Sequence, residues 1–498
     1  MTTEQDLELV TRYQKEIFLL SQTSSLLGWD QQTYMPGKAA QTRAEQISFL
    51  SSLIHEKMIS NEFFEAVNRL YENKDKLNED NQAIIRKLYK EIAKSRKLPK
   101  EFVEELSKTT SLAHNVWKEA KQKSDFNIFK PYLKKIIDLK RKQTDYIHLS
   151  GHPYNSLIDD FEEGMTVEKL QPFFEDLKNK IIDLLEKIES TEIYKSQQKE
   201  NQKKFPINLQ LEFANELAKS LGLSNENFRL DLSEHPFTTS IGLNDVRITT
   251  NVNHGFLKNF SSVMHEAGHA IHSIQLPEEY HYTILWDSPS YGISESQSRF
   301  WENLIGKGRP FWHYYFPKMD EKFKLNGDFE KWYNTANFVF PGKIRIEADE
   351  IHYCMHIILR FELEKGLIEG SIKVEDLPQI WSKKMKNYFG IVPENDSEGV
   401  LQDVHWSEGY FGYFPSYAIG SVYAVQLYAQ LEKEIPNIEG DIFEGNFERI
   451  RNWLNEKVHK HGAKILADDL IKQICGEGLN PNVFIEYLKE KYSKIYQF

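Results

Sequence analysis

The chain has 498 residues, of which 40% are hydrophobic and 27% charged, a composition typical of folded globular proteins rather than disordered or fibrous ones. Its net charge of −12 repels phosphate backbones, which argues against a nucleic-acid partner. Two cysteines, Cys354 and Cys475, are too few for a disulfide framework, and no apolar run approaches the ~18 residues of a membrane span. We therefore expect a cytoplasmic protein without a membrane or nucleic-acid partner.

A succession of amphipathic helices is predicted from Glu4 to about Lys195, because apolar residues recur there at intervals of three and four. The first interruption runs from Trp29 to Gly37. The chain has only 25 glycines and 17 prolines, fewer than the turns of β-sandwich or barrel folds need, which favours a mostly helical protein. Its length exceeds the size at which single cores stop growing, so we expect two lobes around a shared cleft.

A small β-sheet is predicted between Asn227 and Asn253, where β-branched residues are enriched and alternate with polar ones, as in Val246 to Thr250. Helical periodicity returns at Phe260 and continues to the C-terminus. The candidate catalytic, metal-binding and substrate-binding residues all lie between His235 and Tyr417.

The predicted helix after the sheet contains His-Glu-x-x-His, with His265 and His269 one turn apart on the same face, so that both imidazoles can reach one metal ion. Glu266 projects beside them and can take a proton from a water molecule. The opposite face is apolar and consists of Phe260, Val263, Met264, Ala267, Ile271 and Ile274. The pattern predicts a zinc site with Glu266 as general base, and it leaves His272 as a surface histidine.

A third zinc ligand is expected, because catalytic zinc usually takes three protein ligands and keeps one position open. A third histidine six residues beyond the pair is excluded, since Gln275 stands there. The candidates are Asp287, Glu295 and Glu302. Glu295 is favoured because it lies on the polar phase of the next predicted helix.

Several motifs together resemble the M32 family of metallocarboxypeptidases, the carboxypeptidase Taq type, over essentially the whole chain. Trp29 to Thr33 with Met35-Pro36 extends the match into the N-terminal helices. Ser294 departs from the family pattern, which has histidine before the third-ligand glutamate, and this affects the support of the ligands or the positioning of substrate. The remaining motifs are, in chain order, His235-Pro236-Phe237, Asp245-x-Arg247-x-Thr249, His265 to His269, Glu295-Ser296-Gln297, Ile344-Arg345-x-x-Ala348-Asp349-Glu350 and Gly399-x-x-Gln402-Asp403-x-His405-Trp406.

The resemblance implies a mainly helical, two-lobed fold with a deep groove, similar to neurolysin and angiotensin-converting enzyme, and with the small sheet near the zinc helix. It implies one peptidase domain over residues 1–498, with an N-terminal helical part of about residues 1–225 and a catalytic part of about residues 226–498 sharing one cleft. It also implies a homodimer that uses zinc, or sometimes cobalt, to release single amino acids from peptide C-termini with broad specificity.

Five further residues receive expected roles through the resemblance. His405 and Tyr417 would stabilise the tetrahedral intermediate, with core packing as the alternative for both. Arg345, ahead of Arg247, would bind the terminal carboxylate of the substrate, with a structural ion pair as the alternative. His235 would either line the groove or anchor the turn at Pro236.

Two other functions stay open at this point. The same metal chemistry would serve an endo-acting oligopeptidase, since the His–Glu–His–Glu set does not decide where a peptide is cut. The chain could also be an inactive peptide-binding protein, but Glu266 argues against that because a base has no evident role in simple binding.

Overall fold

Two hydrophobic cores organise the chain, which a computed structural model describes over residues 2–197, 205–252 and 256–498. The smaller core lies among the first four helices, and Leu285 and Trp286 from a later segment close it. In the third helix Phe63, Val67 and Leu70 are buried at the spacing of one helix face. These helices are α1 (Thr3–Thr33), α2 (Ala40–Met58), α3 (Asn61–Glu72) and α4 (Glu79–Arg96).

The larger core receives apolar side chains from all of the remaining described helices. Six of them precede the sheet, namely α5 (Lys100–Lys123), α6 (Phe126–Ile147), α7 (Asn155–Ile158), α8 (Val167–Ser190), α9 (Glu192–Ser196) and α10 (Ile207–Ser220). Eleven follow the sheet, namely α11 (Phe256–Ile274), α12 (Tyr291–Arg299), α13 (Arg309–Phe323), α14 (Phe329–Asn337), α15 (Glu350–Glu369), α16 (Leu377–Phe389), α17 (Phe414–Glu434), α18 (Ile438–Glu444), α19 (Glu448–Lys457), α20 (Ala467–Cys475) and α21 (Pro481–Tyr496). Helix α12 continues into a π-helical segment, Phe300–Gly306.

The small sheet has three strands in the order β1-β3-β2, with β1 (Phe228–Leu232) parallel and β2 (Thr238–Gly242) antiparallel to β3 (Asp245–Thr250). Both β2 and β3 pack against α11, and β2 also packs against α1. The predicted sheet is therefore confirmed, although the last residue of the predicted range lies outside the described residues.

The expected mainly helical, two-lobed fold is confirmed. A cavity of about 590 Å³ is lined by side chains of α1, α2 and α4, by residues between Asp159 and Glu163, and by residues between Thr283 and Ser294. Within the described ranges no helix combines the length and apolarity that crossing a membrane requires.

Helix α11 follows its predicted faces, with one exception. Phe260, Val263, Met264 and Ala267 are buried on the apolar face, while His265 and His269 are partly exposed on the other. The prediction that His272 lies on the surface was wrong: its ring is buried and packs against His459, with ring centroids 4.7 Å apart. Because that partner comes from almost two hundred residues downstream, no local pattern indicated the burial, which lowers the pKa of His272 to about 4.

Candidate active site

Two glycines allow the helices of the site to approach closely. A Cβ atom on Gly268 of α11 would lie 2.5 Å from the carbonyl oxygen of Gln297 in α12, so only glycine fits there. A Cβ atom on Gly420 of α17 would lie 2.7 Å from Cβ of Glu295. The glycine between the two histidines of the motif therefore permits the packing that carries Glu295 to the histidine face of α11.

The structure brings His265, His269 and Glu295 together into one cluster whose ligand atoms all lie within 4.8 Å of one another. Oε2 of Glu295 is 3.6 Å from Nε2 of His265 and 3.7 Å from Nε2 of His269. Ligand atoms of a tetrahedral zinc ion lie roughly 3.3 to 3.4 Å apart, given metal–ligand bonds of about 2.0 to 2.1 Å. Glu295 therefore lies within a few tenths of an ångström of the spacing from each histidine that zinc or cobalt requires, and two imidazoles with one carboxylate form a donor set that either metal accepts.

The two other candidates for the third ligand lie outside this cluster. Glu302 places Oε2 3.0 Å from Nδ1 of His265, on the side of the ring away from Glu295. The Asp287 carboxylate accepts a hydrogen bond from the backbone N–H of Ser288 at 2.7 Å. Placement therefore favours Glu295 as the third ligand.

Each metal-facing imidazole also contacts an oxygen through its other nitrogen. Nδ1 of His265 faces Glu302, and Nδ1 of His269 lies 3.1 Å from the hydroxyl oxygen of Ser294. Arg299 connects the two glutamates, because Nε donates to Oε1 of Glu295 at 2.8 Å and Nη1 donates to Oε2 of Glu302 at 3.1 Å. Contacts of this kind fix the orientation and tautomer of histidine ligands.

The pKa values of the two histidines shift in opposite directions. Burial of the His265 ring lowers its pKa, but the charges of Glu295 and Glu302 outweigh that effect and raise the pKa overall. Burial, together with the charge of His265, holds the pKa of His269 well below its usual value. His269 is therefore neutral, the form in which an imidazole binds a metal.

Glu266 is 6% exposed and lies between α11 and the sheet. Thr238 of β2 donates its hydroxyl to Oε2 of Glu266 at 2.6 Å. Burial raises the pKa of Glu266, while His265 and the hydrogen bond from Thr238 partly oppose the shift. A buried carboxylate with a raised pKa, held beside a metal site, is suited to general base catalysis.

His405 and Tyr417 are in contact, with Nε2 of His405 3.2 Å from the Tyr417 hydroxyl oxygen. Burial and the nearby charge of Arg345 lower the pKa of His405 to about 3, so its ring is neutral. Burial raises the pKa of Tyr417, and the negative charge of Glu295 raises it further. Both groups are therefore uncharged, and the tautomer of His405 decides which of them donates in their contact.

The two arginines lie in different parts of the molecule. Arg345 is 5% exposed, donates from Nε to Asp403 at 2.9 Å and from Nη1 to the Tyr353 hydroxyl at 3.1 Å, and lies 4.9 Å from the ring centroid of Tyr417. Arg247 makes a bidentate ion pair with Asp245. Only Arg345 is thus brought next to the His405–Tyr417 pair.

Arg247 and His235 occupy the sheet region. The guanidinium carbon of Arg247 lies 4.2 Å from the ring centroid of Trp29, which links β3 to α1. His235 is exposed in the connection between β1 and β2, where its carbonyl accepts a hydrogen bond from the Ser233 hydroxyl at 2.6 Å. Their expected contacts with substrate stay predictions.

Sequence reasoning missed the contacts that Arg299, Glu302 and Thr238 make with predicted site residues. Arg299 and Glu302 follow Glu295 by four and seven residues, so helical spacing could have placed them on the same face. Glu302 was considered only as a ligand. Nothing in the sequence indicated Thr238, because its contact with Glu266 depends on the packing of β2 against α11.

Comparisons with known proteins identify the family of the chain. The family model described as carboxypeptidase Taq (M32) metallopeptidase matches residues 9–492. Carboxypeptidase 1 of Bacillus subtilis is 38% identical over 97% of this chain and 99% of its own length, and thermostable carboxypeptidase 1 of Pyrococcus furiosus is 37% identical over 97% and 98%. The crystal structure of the M32 carboxypeptidase from Deinococcus radiodurans has a TM-score of 0.94 at 32% identity, covering 99% of this chain and 100% of that chain. The resemblance drawn from the sequence motifs is confirmed.

Proposed function

The chain belongs to the carboxypeptidase Taq (M32) family of metallopeptidases, peptide-bond hydrolases, and from this premise we propose that it is a zinc carboxypeptidase. It would release single amino acids from the C-termini of peptides with broad specificity, with Glu266 as general base. The observation that carries the proposal is the cluster of His265, His269 and Glu295 beside the buried Glu266. The predicted base and two of the three candidate ligands thereby lie together on α11, and burial raises the pKa of that base.

His265, His269 and Glu295 would hold the metal, with zinc favoured and cobalt an alternative. When bound, the metal would polarise the scissile carbonyl and lower the pKa of a coordinated water to ~7. Glu266 would accept the proton of the attacking water and pass it to the amine that leaves. The hydroxyl of Thr238 would hold the Glu266 carboxylate in one orientation during both transfers.

Tyr417 and His405 would stabilise the negative charge that develops on the carbonyl oxygen. Both are uncharged at neutral pH, and their mutual contact fixes their relative position. When Nε2 of His405 donates to the Tyr417 oxygen, the Tyr417 hydroxyl is free to donate to the carbonyl oxygen. Removing one such donor typically costs roughly 10²–10³ in rate. Their role rests on placement near Glu295, so core packing is the alternative to be excluded.

Arg345 would bind the terminal carboxylate of the substrate. Its Nε and Nη1 groups are engaged, but Nη2 donates no hydrogen bond to any residue within the described ranges. Burial in a water-poor environment strengthens a charge-assisted hydrogen bond from this group. Arg247, already engaged by Asp245 and packed on Trp29, is the second candidate.

The proposal is tested by incubating zinc-loaded enzyme with a peptide and with its C-terminally amidated form, followed by mass spectrometry of the products. A carboxypeptidase releases free amino acids from the first peptide and cleaves the second poorly. Internal fragments from both peptides would favour the oligopeptidase, and binding without turnover would favour the inactive peptide-binding protein. The Glu266→Gln variant is the control for cleavage by a contaminant.

A cytoplasmic location and a homodimer complete the proposal. The location rests on the absence of a disulfide framework from the sequence, and the dimer rests on the family resemblance. Light scattering of the purified protein tests the dimer, since the monomer has a mass of 58.5 kDa. A single species near that mass would contradict it.

A further inference from the structure

Ser294 lies next to the metal-ligand cluster. It occupies the first half of α12, immediately before Glu295, and its hydroxyl oxygen lies 3.1 Å from Nδ1 of His269. No other residue in the described ranges makes a hydrogen bond with this imidazole. The orientation of the His269 ring therefore depends on one hydroxyl group.

The other histidine of the cluster has a charged partner instead. Nδ1 of His265 is 3.0 Å from a carboxylate oxygen of Glu302, which Arg299 holds in place. Both Nε2 atoms face Oε2 of Glu295. A metal bound through these nitrogens leaves each ring neutral with its proton on Nδ1, so each ring then donates outward from Nδ1. The Ser294 hydroxyl would accept the Nδ1 hydrogen bond of His269, as the Glu302 carboxylate would accept that of His265.

We propose that Ser294 is the positioning residue of His269, whose hydroxyl accepts the Nδ1 hydrogen bond and thereby directs Nε2 toward the metal. The inference rests on the proposed function, since the orientation of the ring matters only when a metal binds. Partners of this kind typically affect metal affinity by 10–100-fold. A neutral hydroxyl is a weaker acceptor than a carboxylate, so we expect an effect near the lower end of that range.

The surroundings of Ser294 supply a conservative variant. Its side chain also lines the cavity of about 590 Å³ bordered by α1, α2 and α4. A threonine there keeps the hydroxyl and can place its additional methyl group in this cavity. Ser296 supplies a matched control, because its hydroxyl donates to the carbonyl of Ile293 in the same helix and contacts neither histidine.

The experiment measures zinc affinity of the full-length apoprotein by competition with a chelator at fixed pH. We expect Ser294→Ala to bind zinc about tenfold more weakly, and Ser294→Thr and Ser296→Ala to stay within about twofold of the unmodified protein. The visible absorption of the Co²⁺-substituted protein should change in Ser294→Ala alone, because a reoriented imidazole alters the ligand field. Thermal unfolding of the apoproteins establishes that all variants are folded.

Two results overturn the proposal. The first is a Ser294→Ala protein whose zinc affinity stays within about twofold of that of the unmodified protein and whose cobalt spectrum is unchanged. The second is a Ser296→Ala protein that loses as much zinc affinity as Ser294→Ala, which would assign the effect to helix α12 in general. An unmodified protein that binds no zinc overturns the proposed function as well. If Ser294→Ala keeps unchanged zinc binding and peptide turnover, the role of Ser294 is rejected while the proposed function stands.

Discussion

Substitution of Gly268 by alanine tests the close approach of α11 and α12 that assembles the metal-ligand cluster. The new Cβ atom would lie 2.5 Å from the carbonyl oxygen of Gln297 and 2.8 Å from Cα of Ser298, both of them backbone atoms. An ordinary carbon contact requires about 3.4 Å, so the two helices would have to separate by roughly 0.9 Å. A site of this kind tolerates only ~0.5 Å of displacement from its productive geometry.

We therefore expect Gly268→Ala to lower the free energy of unfolding by about 1–3 kcal/mol through overpacking, and to weaken zinc binding by at least about tenfold. Urea unfolding of the apoprotein and chelator competition measure the two effects. Gly28→Ala is the matched control, because Gly28 is also helical and a Cβ atom there has no neighbour within 4 Å. A Gly268→Ala protein as stable as the control, with unchanged zinc affinity, would refute the packing argument.

Three further predictions concern single carboxylates and one arginine. Glu302→Gln should keep a partner for His265 but remove its charge, so chelator competition should show about tenfold weaker zinc binding; an unchanged affinity would remove Glu302 from the support of the site. Arg345→Lys should lower kcat/KM for a free-acid peptide by roughly 10–100-fold and reduce the preference over the amidated peptide, and an undiminished preference would exclude Arg345 as the carboxylate-binding group. Burial raises the pKa of Glu162 to about 7, above its value near 4.5 in the unfolded chain, so the folded state holds the proton more tightly. The free energy of unfolding should accordingly fall by up to roughly 3 kcal/mol as pH rises from about 4.5 through 7, and urea titrations of Glu162→Gln should show less of this fall; equal pH profiles would contradict it.

The parts of the site that follow from local periodicity could be predicted from the sequence. The apolar and polar faces of α11 place His265, Glu266 and His269 on one side whatever the helix packs against. Glu295 could be favoured because its helix follows closely and has a recognisable polar phase. The small sheet was visible because alternation of β-branched residues is also a local signal.

Contacts between distant segments could not be predicted from periodicity. His405 was identified only through a family motif and Tyr417 only by analogy with related folds. The approach of Tyr417 to the metal ligands depends on the packing of α17 on α12. Thr238 is 28 residues from Glu266 and meets it only when β2 packs on α11. His272 was placed wrongly for the same reason, since its partner His459 comes from a segment near the C-terminus.

The central claim is that Glu266 acts as a base beside a bound metal and is not itself a ligand. The most direct measurement is the kcat/KM of the Glu266→Gln variant for a free-acid peptide, determined on protein whose zinc content is known. The account predicts a full complement of zinc and a loss of activity of roughly 10²–10⁴-fold, because glutamine retains the size of the side chain but cannot accept the proton. Activity close to that of the unmodified enzyme, at full zinc content, would contradict the account.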